Sequence, residues 1–238
     1  MRLCIIPARG GSKRIPRKNI KDFLGKPIIA YSIEVAKYSN LFDHVIVSTD
    51  DKEIAEISKH YGAEVPFIRP KDLADDFIGT VPVVCHAIIE CEKLYGNIDQ
   101  VCCIYPTAPL LKVEFLQQAL YKLEQNNTLK FVFSAAEFAY PIFRSFELTS
   151  DRVAMFWPEN FNKRSQDLPK AMHDAGQFYF GTRDAFLMHN ILFDIYSSVI
   201  IIPQHLVQDI DDLSDWQRAE LLDRKSTRLN SSHRCLSR

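Results

Sequence analysis

Residues 5–19 read IIPARGGSKRIPRKN, and this stretch decides the fold and the site that the rest of the chain is expected to form. It begins with the end of an apolar run, residues 3–6, which is short enough for a buried strand. The loop after Pro7 contains two adjacent glycines, Gly10 and Gly11, and five cations. Glycines let backbone N–H groups turn towards an anion, and Arg and Lys side chains add full positive charge. The stretch therefore predicts a strand followed by a polyphosphate-binding loop.

Two widespread phosphate-binding motifs do not match this loop. A P-loop needs G-x-x-x-x-G-K-[ST], but here the glycines are adjacent and Ser12 precedes Lys13. The loop does not contain the dinucleotide fingerprint G-x-G-x-x-G either. A basic, solvated turn is the alternative interpretation, but such a turn does not need two glycines together with Arg9, Lys13 and Lys18. We therefore expect an anion-binding loop of another kind.

Length and composition indicate the class of protein. A chain of 238 residues suits one α/β domain with a small excursion, and its 47% apolar content is ample for a core. No run approaches the roughly 18 consecutive apolar residues of a membrane span. Met1 and Arg2 lead directly into the first strand, so we expect no signal peptide. Most of the six cysteines lie in apolar runs without metal-site spacing, which is typical of reduced cysteines in a cytoplasmic protein.

The last residues form a segment with a composition of its own. Residues 223–233 read DRKSTRLNSSH, which resembles translated sequencing-adapter DNA. The 16 residues from Asp223 onward contain five of the 29 Lys and Arg residues and one of the 30 acids, so 24 cations and 29 acids remain in residues 1–222. This acidic body, with its basic residues concentrated in one loop, argues against nucleic-acid binding. We expect a single domain over residues 1–222 and a non-native, disordered tail over residues 223–238.

Strands and helices alternate along the chain after the loop. Helical apolar spacing covers residues 28–38, 52–61, 81–94, 113–125 and 183–190, and apolar runs typical of strands cover residues 44–48, 65–68, 101–105, 131–135, 177–181 and 198–202. Asp50 or Asp51 is placed to cap the second of these helices. Such alternation is expected of right-handed βαβ units around a parallel sheet.

Polar segments follow several of the predicted strands. Residues 106–110 read PTAPL after a strand that should be central, and ligands in open α/β sheets bind beyond the carboxyl ends of strands. Further on, Asp209 and Asp211 flank Ile210, so an extended backbone would point both carboxylates to one side. Paired carboxylates suit Mg²⁺, or Mn²⁺, when a phosphate completes the coordination shell. The alternative interpretation is an acidic helix start.

The sequence IPARGGSKRIPRKN resembles the N-terminal signature of the CMP-sialic acid synthetase family, the cytidylyltransferases that activate nine-carbon acidic sugars. The resemblance implies a three-layer, Rossmann-like α/β fold of the nucleotide-diphospho-sugar transferase type, with a mostly parallel sheet. It implies that the loop wraps CTP through Ala8, Arg9, Gly10, Gly11, Ser12, Lys13 and Asn19, with Arg69 at the base or ribose. It also implies catalytic roles for Arg9, Lys13, Lys18 and Asp211, and a metal site at Asp209 and Asp211.

The resemblance extends to the acceptor side of the site. The family carries an x-P-T-[SA]-P-L loop, which matches residues 105–110, although many sialate members carry Gln where Tyr105 stands. The segments RSQDL (164–168) and HDAGQFY (173–179) resemble the pseudaminic acid branch of the family. The acceptor-sugar contacts implied by these segments are Tyr105, Thr107, Arg164, Asp174 and Gln177.

Arg164 is expected to hold the carboxylate of the acceptor, because a guanidinium binds a carboxylate with two parallel hydrogen bonds. Lys163 and Lys170 are weaker candidates for this contact. His173 is a candidate titrating group, but an isolated histidine is more often structural.

Residues 138–175 are predicted to form a small β-rich excursion from the domain. Aromatic and β-branched residues are frequent in residues 141–158, which indicates exposed apolar surface and an interface. Members of the family use an insertion here to dimerise and to complete each other's sugar pocket, so the resemblance implies a homodimer. A hairpin packed on its own domain is the alternative.

Taken with the resemblance, these motifs predict nucleotidyl transfer. The anomeric hydroxyl of pseudaminic acid would attack the α-phosphorus of CTP, giving a CMP-sugar and pyrophosphate, with a metal ion lowering the pKa of that hydroxyl. Sialic or legionaminic acid is the alternative acceptor, and Kdo-type acceptors rank last because Kdo enzymes lack the Gly-Gly-Ser-Lys order. A non-catalytic nucleotide-binding module on the same fold is an alternative from another class. An NAD-dependent oxidoreductase lacks support because the glycine fingerprint is missing.

Overall fold

The structure, a computed structural model, describes the backbone of residues 1–75, 77–189 and 191–235, and side chains within these ranges up to residue 224. Its strands are β1 (Arg2–Pro7), β2 (Asp22–Phe23), β3 (Lys26–Pro27), β4 (His44–Ser48), β5 (Gln100–Ile104), β6 (Phe131–Glu137), β7 (Phe146–Thr149), β8 (Arg152–Met155), β9 (Met172–Thr182) and β10 (Ser197–Ile201). Its α-helices are α1 (Ile28–Tyr38), α2 (Lys52–His60), α3 (Thr80–Tyr95), α4 (Val113–Gln125) and α5 (Leu213–Cys235).

Six strands form one central sheet in the order β10-β6-β9-β5-β1-β4. β1 pairs in parallel with both β4 and β5, and β6 pairs in parallel with β10. β9 is antiparallel to both of its neighbours, β5 and β6. The sheet is therefore mostly parallel, which confirms the predicted fold class.

Helices cover both faces of the sheet, because neighbouring residues of its strands point to opposite faces. In β1, Cys4 and Ile6 join the core cluster under α1, α2 and α4, whereas Leu3 and Ile5 join the cluster under α3. All four side chains are fully buried. The result is a three-layer α/β/α arrangement, as expected from continuous apolar runs in strands that are buried on both sides.

One predicted strand, residues 65–68, is wrong. Only Glu64 pairs there, through an isolated parallel bridge to Ile46. Pro66 has no N–H group and cannot donate to a sheet ladder, so the chain leaves the sheet edge at this point. Arg69 then returns, donating its backbone N–H to the carbonyl of Thr49 at 2.8 Å. The predicted helix at 183–190 is a π-helical turn, Ala185–His189, and its last predicted residue lies outside the described residues.

The excursion contains a two-stranded antiparallel hairpin, β7–β8, apart from the central sheet. Phe146, Leu148 and Val153 in this hairpin expose between 59% and 68% of their surface, so it does not pack its apolar residues into the domain core. This arrangement leaves an apolar surface open to a partner.

Helix α5 continues into the tail that the sequence analysis treats as disordered. The backbone is helical up to Cys235, and residues 223–235 contain neither Gly nor Pro, the residues least favourable in a helix interior. The side chains from residue 225 onward, and residues 236–238, lie outside the described part of the chain. Among the described helices, none combines the length and apolar character needed to cross a membrane.

Candidate active site

A cleft of about 240 Å³ opens at the carboxyl ends of the parallel strands β1, β4 and β5. Ligands bind at this edge in open α/β sheets, because the loops that leave the strands converge there. Nine residues predicted to act in the site line the cleft: Arg9, Ser12, Lys13, Lys18, Asn19, Arg69, Tyr105, Thr107 and Asp211. The structure therefore brings the loop after β1, the segment after β5 and one of the two aspartates to one place.

The loop after β1 is held against the start of α2. The Gly10 N–H donates to the carboxylate of Asp50 at 2.9 Å, and Arg17 donates to both oxygens of Asp51 at 2.5 and 2.9 Å. A Cβ atom at Gly10 would lie 2.8 Å from an oxygen of Asp51, whereas one at Gly11 would meet nothing within 4 Å. Gly10 is therefore required for the close approach of the loop to α2.

Backbone and side-chain contacts orient three cationic or polar residues of the loop. The Asn19 side chain donates to the Arg9 carbonyl at 2.9 Å, and Arg9 itself donates to the carbonyl of Asp75 at 2.8 Å. Lys18 donates to the carbonyl of Ile210 at 2.7 Å. Burial lowers the pKa of Lys18, while the charges of Asp211 and Asp209 oppose this effect. These contacts fix positive charge around the cleft.

Arg69 lies at the base of the cleft and is 4% exposed. Its guanidinium donates to the hydroxyl of Ser48 at 3.2 Å and to the Ser48 carbonyl at the end of β4. Burial lowers its pKa to about 10, partly offset by the charge of Asp50. Arg69 thus remains a cation that is already anchored to the sheet on one side and faces the cleft on the other.

The two predicted metal ligands, Asp209 and Asp211, flank Ile210, and only Asp211 of the two lines the cleft. Ile210 is fully buried between them, in a small core cluster with Phe23 and Trp216. Asp211 lines the cleft and forms an ion pair with Arg14 at 2.9 Å. Although Asp209 is open to solvent on one side, desolvation of its carboxyl raises its pKa, and the charge of Asp211 adds to this rise. The charges of Asp209 and Asp211 therefore act on each other, and both also act on the ammonium group of Lys18.

The predicted acceptor-side residues are divided between the cleft wall and the layer behind it. Tyr105 and Thr107 line the cleft, whereas Asp174 and Gln177 lie behind them on β9. Gln177 is 3% exposed and donates to the Leu206 carbonyl at 2.6 Å, while its Oε1 has no partner among the described residues. The hydrogen bond from Gln177 therefore fixes Leu206, which lies in the segment that leads to Asp209.

Arg164 is not brought to the cleft within one chain. It lies in the excursion, its side chain is 71% exposed, and it binds the carboxylate of Asp167 at 2.8 Å. Three other predicted nucleotide contacts, Ala8, Gly10 and Gly11, belong to the loop after β1 but are not among the residues that line the cleft. Of these, Ala8 is fully buried.

Among the cleft-lining residues that were not predicted from the sequence, three have polar side chains: Arg14, Asp75 and Thr80. Arg14 lies within the opening motif and carries a charge, so the motif itself contained the signal for it. Asp75 supplies its backbone carbonyl to Arg9, a role that leaves no pattern in the sequence. Thr80 is the first residue of α3, and a lone threonine at a helix start is too common to indicate a site.

Comparison with known proteins identifies what the chain is similar to. A family model described as cytidylyltransferase matches residues 3–206. A pseudaminic acid cytidylyltransferase of Campylobacter jejuni is 52% identical over 221 residues, which cover 92% of this chain and 95% of that protein. A CMP-N,N'-diacetyllegionaminic acid synthase of the same species is 31% identical over 92% of this chain and 94% of that protein.

A solved structure has a similar fold at low sequence identity. The CMP:2-keto-3-deoxy-manno-octonic acid synthetase complexed with CTP superposes with a TM-score of 0.69 at 16% identity, covering 94% of this chain and 99% of that chain. At this identity the likeness concerns the fold alone.

Proposed function

The chain belongs to the cytidylyltransferase family, and we propose that it transfers a cytidylyl group from CTP to pseudaminic acid. The observation that carries the proposal is the identity of 52% to a pseudaminic acid cytidylyltransferase over nearly the whole of both chains. The cation-lined cleft at the carboxyl edge of the sheet supports it, because a triphosphate needs concentrated positive charge. The products are CMP-pseudaminic acid and pyrophosphate.

The reaction is an in-line displacement at the α-phosphorus of CTP. The anomeric hydroxyl of the sugar loses its proton to water as its oxygen forms a bond to that phosphorus. The bond from the phosphorus to the bridging oxygen breaks, so pyrophosphate leaves with the electron pair. Such a reaction requires positioning and charge stabilisation more than covalent chemistry from the protein. We assign Lys13, Arg9 and Lys18 to the phosphates, since all three side chains line the cleft.

Asp209 and Asp211 are assigned to a divalent cation, Mg²⁺ with Mn²⁺ as the alternative. Their hard oxygen donors suit such an ion, and the pKa of Asp209 is raised mainly by burial and further by the charge of Asp211, which a cation would offset. The described residues contain no cluster of three or more His, Cys, Asp or Glu side chains able to hold a metal. Phosphate oxygens and water would therefore complete the shell. When bound, the ion would supply Lewis acidity at the phosphate and the acceptor hydroxyl.

Two hydrogen bonds and an ion pair within the chain hold the segment of Asp209 and Asp211 in position. The backbone N–H of Asp211 donates to Asp215 at 3.0 Å, and Lys18 holds the neighbouring Ile210 carbonyl. Arg14 neutralises Asp211 in this structure at 2.9 Å. We infer that Arg14 moves to the triphosphate when a cation takes its place, because its guanidinium lines the same cleft.

A homodimer completes the acceptor site in this proposal. Arg164 pairs with Asp167 in the exposed excursion and does not line the cleft of its own chain. The same excursion exposes Phe146, Leu148 and Val153. Docking this apolar surface onto a second copy would carry Arg164 to the partner's cleft, where it would clamp the sugar carboxylate.

The reaction is assigned to the cytoplasm. Within the described part of the chain, the five cysteines Cys4, Cys85, Cys91, Cys102 and Cys103 are free thiols. Such a set is typical of proteins in a reducing compartment.

Incubation with CTP, Mg²⁺ and one nonulosonic acid at a time tests the proposal. The panel contains pseudaminic, legionaminic and sialic acid, and released pyrophosphate is measured. We expect the highest kcat/KM with pseudaminic acid and no release when the acid or the metal is omitted. Preference for legionaminic or sialic acid would move the assignment to that sugar. No release with any acid, despite CTP binding, would favour a non-catalytic nucleotide-binding module.

A further inference from the structure

Strand β9 has a bulge where it passes Ser134 of β6. The register between the two strands shifts between Phe133 and Ala135, so that residues 175–178 of β9 pass Ser134 alone. The Ser134 hydroxyl is fully buried and accepts the backbone N–H of Gln177 at 3.1 Å. Bulges of this kind are frequent next to active sites, where they redirect a side chain. The bulge therefore sets the direction in which Gln177 leaves β9.

The Gln177 side chain reaches the segment that follows β10. Gln177 is 3% exposed, and its Nε2 donates to the Leu206 carbonyl at 2.6 Å. Leu206 is the last residue of a short 3₁₀-helical turn, Gln204–Leu206, and lies shortly before Asp209 in the chain. One buried hydrogen bond therefore joins β9 to the segment that contains Asp209.

The residue before Gln177 lies beside Asp209 itself. A Cβ atom placed on Gly176 would lie 3.9 Å from the carboxyl carbon of Asp209, which is ordinary van der Waals contact. Gly176 has a φ of +62°, in the left-handed region that favours glycine, and its N–H donates to Asp174 at 2.8 Å. No side chain of Gly176 therefore separates the β9 backbone from the Asp209 carboxyl group.

The backbone on the other side of Asp209 is also anchored. Ile210 is fully buried, and its carbonyl accepts a hydrogen bond from Lys18 at 2.7 Å. The hydrogen bonds at Leu206 and Ile210 therefore limit where the backbone of Asp209 can lie, and Gln177 supplies the first of them.

The amide group of Gln177 is not explained by packing. Its Oε1 is buried and has no hydrogen-bond partner among the described residues. An unpaired buried oxygen destabilises a fold, and an apolar side chain of the same length would avoid this cost. Local choices that reduce stability are expected at functional sites. The hydrogen bond to Leu206 is therefore the reason that we infer for an amide at this position.

We propose that Gln177 is a positioning residue for Asp209: its hydrogen bond to Leu206 fixes the backbone that presents the Asp209 carboxylate to the divalent cation. The inference rests on the proposed function for the metal-binding role of Asp209. It assigns Gln177 an indirect role behind the cleft wall, whereas the sequence predicts a direct contact with the acceptor sugar.

Gln177→Met tests the inference, because methionine has nearly the length of glutamine but cannot donate a hydrogen bond. Mn²⁺ and CTP are mixed with the protein, and bound Mn²⁺ is measured by electron paramagnetic resonance against the same mixture without protein. We expect the Kd of the Mn²⁺–CTP complex to rise about tenfold, the lower end of the usual loss when a partner of a metal ligand is removed. The calorimetric Kd of metal-free CTP should change less than about twofold, because only the metal ligand is displaced.

Kinetics of the same variant separate metal binding from the other steps. The Mg²⁺ concentration for half-maximal turnover should rise about tenfold, whereas kcat at saturating Mg²⁺ and the KM for pseudaminic acid should change less than about twofold. A general loss of structure would not produce this division. The Tm should change by less than about 4 °C, because Gln177→Met removes the unpaired oxygen together with the hydrogen bond.

Gln204→Met is the matched control. Gln204 begins the same 3₁₀-helical turn, and its Nε2 donates to the Glu137 carbonyl at 2.7 Å, but its side chain is exposed. Its loss should change the Kd of Mn²⁺–CTP less than about twofold, because a hydrogen bond at the surface is replaced by one to water. Equal weakening by the two variants, or no weakening by Gln177→Met, would overturn the inference.

Ser134→Ala is a second variant, which decides the matter if Gln177→Met does not fold. It removes the hydroxyl that holds the Gln177 backbone, so we expect the Kd of Mn²⁺–CTP to rise roughly threefold. Combined with Gln177→Met it should give no further rise, because both changes act on one contact. An unchanged Kd in Ser134→Ala, or additive effects in the double variant, would contradict the inference.

Different outcomes decide the proposed function and the inference. A wild-type protein that binds Mn²⁺–CTP without turnover of pseudaminic acid would defeat the proposed function, while the Kd values would still decide the role of Gln177. A wild-type protein that turns over pseudaminic acid, with a Gln177→Met variant that binds Mn²⁺–CTP equally well, would defeat the inference alone. Absence of Mn²⁺ binding by the wild type would defeat the metal assignment and the inference together.

Discussion

Lys18 joins two parts of the cleft that lie far apart in the chain. Its ammonium group donates to the Ile210 carbonyl at 2.7 Å, and Ile210 lies between the two aspartates. Burial lowers the pKa of Lys18, whereas Asp211 and Asp209 favour its charged form. Lys18 therefore joins the loop after β1 to residues 209–211 through a hydrogen bond and through attraction between opposite charges.

The charged residues of these two segments should be needed for turnover and dispensable for folding. We expect Lys13→Ala and Asp211→Ala each to lower kcat by about 10²–10³, the usual cost of removing one preorganised charge contact. Both side chains line the cleft rather than the core, so the circular dichroism spectrum and Tm should stay near wild type. Pyrophosphate release under saturating CTP measures the effect.

Lys59→Ala is the control for these variants. Lys59 is exposed on α2 and pairs with Glu56 at 2.9 Å, an interaction that contributes little at a surface. Its turnover should match wild type. Near-wild-type turnover of folded Lys13→Ala would show that the assignment of charge to the phosphates is mistaken.

The two glycines of the loop should differ in their tolerance of a methyl group. Gly10→Ala places a Cβ 2.8 Å from an Asp51 oxygen, so we expect a loss of about 1–3 kcal/mol in the free energy of unfolding. Gly11→Ala meets no atom within 4 Å and should change that free energy by less than about 1 kcal/mol. Urea denaturation of both variants measures the difference, and equal stabilities would contradict the packing described for the loop.

At the scale of elements, Asp51 ties the phosphate loop to helix α2. It caps the helix by accepting the Ile54 N–H at 2.9 Å, and the same carboxylate binds Arg17. Hydrogen bonds from Arg17 are the main reason that its pKa is lowered to about 2. Asp51 therefore caps α2 and also anchors the loop after β1 to the start of this helix through Arg17.

Removing this cap should destabilise the protein in a pH-dependent way. We expect Asp51→Ala to lower the free energy of unfolding at neutral pH by about 1–2 kcal/mol, the usual cost of losing an N-cap. Because the pKa of Asp51 is lowered in the folded state, its charge stabilises the fold fully above the ordinary pKa of 3.8. This stabilisation is lost as the pH falls towards about 2. The difference between variant and wild type should therefore shrink across that range.

Denaturation at several pH values checks this prediction, with Asp72→Ala as an exposed aspartate control. A difference that stays constant from neutral pH down to about 2 would show that the Asp51 charge does not stabilise the folded state.

The hairpin β7–β8 should carry the dimer contact. Leu148 and Val153 form a cross-strand pair, and each is 68% exposed. Leu148→Asp should shift the protein from dimer to monomer in light scattering, because a charge at an apolar interface is costly. Turnover should fall with it, since Arg164 would no longer reach a partner's cleft.

Tyr121→Asp is the matched control for the hairpin variant. Tyr121 is 66% exposed on α4 and lies outside the excursion. The Tyr121→Asp variant should have the same molar mass in light scattering as the wild-type protein. A wild-type monomer, or a dimer that survives Leu148→Asp, would contradict the assignment of the interface.

For the whole molecule, local patterns predicted the elements better than their arrangement. The bounds of α1, α4 and β4 and the cap at Asp51 follow from apolar spacing and side-chain chemistry within a few residues. The position of β9 between β5 and β6 depends on pairings between distant residues, such as Cys102 with Phe180, that no local pattern encodes. The strand predicted at residues 65–68 is wrong because the prediction followed the apolar character of these residues and not Pro66, which cannot donate to a sheet ladder.

The cleft residues also divide into those that local sequence patterns predict and those that only the fold brings together. The place of the loop after β1 at the cleft was predictable because its glycines and cations are contiguous and follow a strand, whereas its contacts with phosphate and the metal site at Asp209 and Asp211 stay predictions. Thr80 was not predicted to line the cleft because its contact with Tyr105 joins residues that are 25 positions apart, and only the fold brings them together.

The central claim is that the whole chain converts CTP and pseudaminic acid into a CMP-sugar. The most direct test follows the phosphorus atoms of CTP by ³¹P NMR during incubation with pseudaminic acid and Mg²⁺. We expect the three CTP signals to be replaced by one phosphodiester signal and a pyrophosphate signal that grow at the same rate. Unchanged CTP, or its conversion to CDP and inorganic phosphate, would contradict it.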